Sequence, residues 1–253
     1  MSGENWVPYP PLGLVVAIQY WREDEAPALR LARLLADIEP ARREDVTIAF
    51  CRRFDTERSE LLAETFGYCA AKFRVQILRS EREGTGHPDG CFGLWAGTMD
   101  QLAEQWSDGR TEACSVFTVE ADGVPLCTDW LDRLRYEHGR ALRVGKRVTG
   151  AFTEGGGEAA RLPHINGSLI AHLSLWPDRP SLHRTPAGQA WDVFHAPALL
   201  AEAQPTPLIK NVYGARAWAP ETLKAMAKET AWLSSCKDVS AFEWAEQTLV
   251  PAR

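Results

Sequence analysis

The sequence has no CxxC pair: its six cysteines, Cys51, Cys69, Cys91, Cys114, Cys127 and Cys236, are scattered. That spacing argues against a zinc site and, in a chain this large, against a disulfide framework, so free thiols and a cytoplasmic setting are expected. Long apolar runs are absent too. The stretch Leu12 to Ile18 is far shorter than the roughly 20 residues a membrane span requires. The opening "MSGENWVPYPPLG" has no basic segment followed by an apolar one, so nothing in it marks a secretory signal. No transmembrane segment is expected. A formal net charge of −6 supplies no general electrostatic footprint for nucleic acid. The arginine clusters at Arg42-Arg43, Arg52-Arg53 and Arg133 to Arg147 are interleaved with acids or lie beside helix ends, and read as solvated surface. Two nucleotide signatures are also missing. "GTGHPDG" is not followed by Gly-Lys-Ser/Thr, and no GxGxxG follows the first strand, so P-loop and dinucleotide readings are poor.

What is present is a soluble-protein composition, 45% hydrophobic and 25% charged, in 253 residues, enough to bury a full core as one α/β domain. "LGLVVAIQYW" reads as a strand covered on both faces. Leu31, Leu34, Leu35 and Ile38 then form a helical stripe closed by Pro40. "DVTIAF" and "KFRVQIL" are predicted strands on either side of a helix, "TERSELLAETFGYCA". The β-α-β-α-β order indicates a mostly parallel sheet with helices on both faces. A charged, glycine-containing loop, "RSEREGTGHPDG", leads to a helix carrying Trp95, Met99, Leu102 and Trp106, and then to the strand "CSVFTVE". Thr128 is placed to cap a helix, "DWLDRLRYEHG". "RVGKRVTGAF" is a predicted strand, "TEGGGEAA" a loop, and "HINGSLIAHL" a turn entering a strand. Six prolines from Pro177 to Pro207 break up the next region, and the C-terminal helices are "PETLKAMAKETAWL" and "SAFEWAEQTL".

The fourth strand stops at two carboxylates, Glu120 and Asp122, followed by Gly-Val-Pro. In a parallel sheet, ligands bind beyond the carboxyl ends of the strands. Two carboxylates at i and i+2 across a tight turn can face one hard cation that keeps open positions for phosphate. Asp122-Gly123 as a simple turn is the competing reading.

The β-α-β-α-β start, then a strand, then Glu120-Ala121-Asp122 near mid-chain resembles the GT-A type of glycosyltransferase, whose members carry an Asp-x-Asp motif there. The resemblance implies a Rossmann-related α/β fold, a mixed but mostly parallel sheet flanked by helices. It also implies one domain, with residues 1–127 the nucleotide-sugar-binding half and 128–253 the acceptor-binding half. In that family the motif holds manganese or magnesium on the diphosphate of a nucleotide sugar. Glu120 and Asp122 are then metal ligands, Asp122 the stronger, with His195 a further candidate.

The remaining site residues follow from the same resemblance. In "GQAWDVFHAP", Asp192 takes the place of the acid that removes the acceptor proton in inverting members, with Trp191 where another acid often stands; a helix cap is the alternative. Asn166, in "PHINGSLI", matches a loop bordering donor sugar and acceptor, although Asn-Gly also makes a plain turn. Lys237 matches a late lysine that contacts the diphosphate, but no histidine follows His195 to join it. The nucleoside is expected at Gln19, Tyr20 and Arg22 after the first strand, and at Arg79, Gly84 and Gly86 after the third. Trp21, Trp95 and Trp191 are candidates to stack on a sugar or base. The implied activity is metal-dependent transfer of a sugar from a nucleoside-diphosphate donor to a hydroxyl, on a saccharide or a modified nucleobase, with inversion. A nucleotidyltransferase and a non-catalytic nucleotide-sugar-binding protein are the alternatives. "QYWREDEAP" lacks the glycine-rich basic signature that the first of these needs.

Overall fold

The computed structural model describes residues 13–154, 162–214 and 216–251. The central layer is a seven-stranded sheet. Strands β1 (Leu14–Tyr20), β2 (Arg43–Arg52), β3 (Phe73–Arg79) and β4 (Ser115–Glu120) run parallel in the order β3-β2-β1-β4. Between them lie α1 (Glu25–Ile38), α2 (Glu60–Ala70) and α3 (Asp89–Ser107). The hydrophobic stripe expected on α1 is buried throughout, and Ser59 caps α2 by accepting the Leu62 amide at 3.0 Å.

Beyond β4 the direction changes. After a two-residue strand, β5 (Val124–Pro125), and α4 (Trp130–Arg143) come β6 (Val148–Thr153) and β7 (His164–His172). β7 inserts antiparallel between β4 and β6. The short α5 (Leu175–Asp178), α6 (Trp191–Phe194) and α7 (Ala196–Glu202) lead to β8 (Ala203–Pro205), which completes the sheet beside β6. A second, three-stranded sheet joins β5 to β9 (Ile209–Gly214) through β10 (Trp232–Cys236). α8 (Pro220–Met226) precedes β10, and α9 (Ser240–Leu249) follows it.

Alternation along β1 splits the core in two. Leu14, Val16, Ile18 and Tyr20 pack under α1, α2 and α4, whereas Val15 and Ala17 face Trp95 and Met99 of α3 and Trp191 of α6. This is the period-two geometry of a strand buried on both faces.

Three sequence expectations change. α4 begins at Trp130 with Asp129 in the capping position, so Thr128 is not the cap. The predicted helix "PETLKAMAKETAWL" stops at Met226, and Trp232 and Leu233 belong to the buried strand β10; a short apolar run does not distinguish the two by periodicity. Asn166-Gly167 lies inside β7 rather than in a turn before it. There it forms a bulge, since Ile165 to Leu169 spans the stretch opposite Phe152 to Gly150. The glycine triplet of "TEGGGEAA" falls outside the described residues.

Candidate active site

β4 ends at Glu120, and the chain turns through Ala121 and Asp122, closed by the Gly123 amide donating to the Glu120 carbonyl at 3.0 Å. Only glycine fits at 123. A Cβ there would come within 2.5 Å of the Trp232 ring, which is fully buried in β10. The turn is therefore clamped by β10, and the Cys236 amide adds a bond to the Asp122 carbonyl at 3.2 Å. Just before it, Ser235 has φ of 58°, in the left-handed region that a side-chain-bearing residue rarely adopts. That kink coincides with the register break in β10. It ends in Lys237, whose ammonium donates to Asp122 Oδ2.

The other Asp122 oxygen, Oδ1, is buried without a hydrogen-bond partner. Glu120 is open to solvent and yet enclosed by protein, as a group on the floor of a crevice would be. Enclosure first, and Asp122 next, push its carboxyl up to about 7; Lys237 opposes this, and Asp192 and Asp24 add to it. Asp24, which ends the 3-10 turn after β1, is raised mainly by burial and feels both Lys237 and Asp122. Cys91, in the first turn of α3, has its thiol pushed up to about 11 by burial and then by Glu120, Asp192 and Asp24. Among the described residues, acids from three segments thus share one crevice with Lys237.

Asp192 forms the far wall. It sits in the first turn of α6, its Oδ1 accepting the Val193 amide at 3.0 Å and its Oδ2 lying 3.9 Å from His164 Nε2. Burial raises its pKa, and His164 opposes the shift. His164 Nδ1 bonds the Leu162 carbonyl at 3.0 Å. A carbonyl only accepts, so Nδ1 donates to it, which fixes the ring with Nε2 facing Asp192. Asn166 Oδ1 accepts from Ser234 Oγ at 2.9 Å and from the Ser168 amide at 3.1 Å, tying the β7 bulge to β10. Gln19 pairs in register with Glu120, and its Nε2 is buried with no hydrogen-bond partner.

Other predicted residues lie elsewhere. Tyr20 is 1% exposed and belongs to the core beneath α1, so it offers no edge to a base. His195 is buried and bonds Thr185 Oγ1 at 2.9 Å, and no carboxylate contributes to its pKa, which burial lowers. It is therefore not a partner of Glu120 and Asp122. Trp191 stacks on Trp95 at 3.9 Å, both buried, which removes both from sugar stacking. Trp21 lies under the Arg53 guanidinium, 4.9 Å from its ring centre. Arg22 is exposed. Arg79 donates to the Phe54 carbonyl on the opposite face of the sheet from Glu120. Gly84 and Gly86 both have positive φ in the loop that packs on the start of α3. His87, in the same loop, is close enough to affect Asp192.

Among the described residues, no group of three or more His, Cys, Asp and Glu is arranged to hold a metal ion. The donor chemistry nonetheless fits a hard cation held by few protein ligands: Asp122 Oδ1 lacks a partner and Glu120 lacks a hydrogen-bonded cation. Magnesium commonly takes one or two carboxylates and completes its shell with phosphate and water.

By sequence the chain matches no family model and no curated protein. By structure it resembles the bifunctional glycosyltransferase WbbM, with TM-score 0.52 and 10% identity over 91% of this chain and 46% of that one. It spans about half the length of WbbM. An active-site mutant of LgtC gives TM-score 0.50 and 10% identity, covering 92% of this chain and 94% of that one. Mouse xyloside xylosyltransferase 1 gives 0.51 and 11%, covering 88% and 97%. The chain has the GT-A glycosyltransferase fold. On this GT-A sheet the carboxylates stand where β4 ends, at the edge where the parallel strands deliver their loops. Sequence reading missed Asp24, Cys91 and His164. Asp24 follows the first strand directly, and His164 precedes Asn166 by two positions on the same strand, so both lay within motifs already singled out.

Proposed function

We propose that the protein is a metal-dependent glycosyltransferase that moves a sugar from a nucleoside-diphosphate donor to a hydroxyl acceptor, a saccharide or a modified nucleobase, by a single inverting displacement. The convergence of Glu120, Asp122, Asp24 and Lys237 at the end of β4, facing Asp192, carries this reading. Residues 1–127 hold the donor and 128–253 the acceptor.

Glu120 and Asp122 would hold manganese or magnesium, whose charge stabilises the departing diphosphate. Lys237 meets Asp122 now, and the same ammonium reaches a phosphate oxygen beside it. Gln19 Nε2 donates to the donor, and Asn166, fixed by Ser234, borders the sugar. In the reaction the acceptor oxygen bonds to the anomeric carbon as that carbon's bond to phosphate breaks, and the hydroxyl proton passes to Asp192. Burial strengthens Asp192 as a base, and the His164 ring, anchored through Nδ1 on the Leu162 carbonyl, stands beside that carboxylate and positions it.

Release of nucleoside diphosphate from a panel of nucleotide sugars, with manganese and mixed hydroxyl acceptors, tests the reading. Acceptor-dependent release supports it. Tight binding of donor with no release by any pair replaces it with a nucleotide-sugar-binding role.

A further inference from the structure

The loop ends of β2 and β3 hold a second, separate cleft of about 520 Å³, lined by Arg52, Arg58, Arg79, Phe54, Asp55 and Glu57. Arg52 and Arg79 are register partners, in line with Tyr20 of β1, whereas Glu120 is in line with Gln19, Cys51 and Leu78. Side chains alternate faces along a strand, so this cleft opens on the α1/α2 side of the sheet and the carboxylate crevice on the other. Its charge is unbalanced. Asp55 is paired with Arg53 through two bonds of 2.6 Å, which leaves three guanidinium charges against Glu57 and a Glu81 that stands 3.9 Å from Arg79. Arg79 also donates through Nε and Nη2 to the Phe54 carbonyl, and Arg52 through Nη1 to the Thr56 carbonyl. Arg52 Nε is buried without a hydrogen-bond partner. Burial lowers the Arg52 pKa, and repulsion from Arg58 and Arg79 adds to this. Arg52 and Arg53, which read as solvated surface in the sequence, are instead a half-buried cleft wall and a buried guanidinium paired with the exposed Asp55.

A groove of about 480 Å³ adjoins the cleft, sharing Arg58 and running between α2 and the edge strand β3. Its walls are Leu62, Ala63, Phe66, Val75 and Ile77, with Arg58 at the head. A polar, cationic chamber opening onto an apolar one describes the shape of an anionic amphiphile. Arg58 and the N–H groups of Arg52 and Arg79 not spent on the Thr56 and Phe54 carbonyls match the oxygens of a phosphate.

We propose that this paired cleft binds a single-chain alkyl phosphate, its head at Arg52, Arg58 and Arg79 and its chain along the α2/β3 groove, independently of the nucleotide site. Calorimetry with decyl phosphate, below its micelle concentration, tests this against inorganic phosphate, decyl maltoside and phosphatidic acid vesicles. Decyl phosphate is expected to bind tightest, with each chain methylene that reaches the groove tightening binding by up to roughly fourfold. Arg58→Ala and Ala63→Glu change exposed positions, so both are expected to fold. Each is expected to weaken decyl phosphate about tenfold and to leave nucleoside-diphosphate binding unchanged. Four results would overturn the assignment: equal binding of inorganic phosphate, equal binding of the maltoside, vesicle binding without monomer binding, or indifference to both substitutions. A parallel loss of nucleotide binding would merge the two sites and overturn their independence.

Discussion

Replacing Glu120 by Gln should stabilise the ligand-free protein above neutral pH and leave it unchanged in acid. Its carboxyl moves from an ordinary 4.5 to about 7 in the folded state, chiefly through enclosure and the nearby Asp122. Below pH 4.5 the group is protonated in both states and costs nothing. As pH rises from 4.5 through 7 the unfolded chain ionises first, so the native state loses stability across that window. The full shift corresponds to about 3 kcal/mol. Glu120 is open to solvent on the crevice floor, and screening reduces this to roughly 1–2 kcal/mol. In a chain of this length that is a rise in Tm of roughly 2–8 °C for Glu120→Gln at pH 8, shrinking to nothing near pH 4.5. Thermal unfolding followed by circular dichroism across that range measures it directly. A Tm difference that is constant with pH, or a Gln variant that is less stable at pH 8, would refute the picture of a like-charge crevice awaiting a cation.

Three further outcomes are expected. Asp192→Asn should lower kcat by roughly 10²–10⁴-fold and leave nucleotide affinity intact; an unchanged kcat removes Asp192 from the reaction. Gly123→Ala should cost about 1–3 kcal/mol because its methyl meets the Trp232 ring, read as a lower urea midpoint at constant m-value. Trp191→Ala empties the place stacked on Trp95 and should cost about 3–5 kcal/mol. A variant with normal stability and a raised acceptor KM would instead return Trp191 to the sugar site.

The first half of the fold was legible because its strands and helices carry unambiguous periods. The stripe Leu31, Leu34, Leu35 and Ile38 and the alternation in β1 left little freedom. The C-terminal third was less so. Trp232 and Leu233 follow a helical stretch without a break in hydrophobicity, and only pairing with β5 and β9 makes them a strand. Asp122 and Lys237, 115 positions apart, were each singled out by motif, but their ion pair depends on the kink at Ser235, which no local pattern announces. His195 failed as a ligand for a similar reason. Its position three residues after Asp192 fitted the motif, yet the chain turns between α6 and α7 and carries its ring to Thr185. Tryptophan content was equally ambiguous: the same rings that suit a sugar platform suit a core, and the stacked pair Trp95 and Trp191 went to the core.

The most direct test of the central claim is calorimetric binding of UDP, GDP, CDP and dTDP, with and without manganese, to the native chain and to Asp122→Ala. The account predicts that one nucleotide binds in a manganese-dependent manner and that Asp122→Ala abolishes the manganese dependence. Binding of none of the four, or manganese-dependent binding that survives Asp122→Ala, would contradict it.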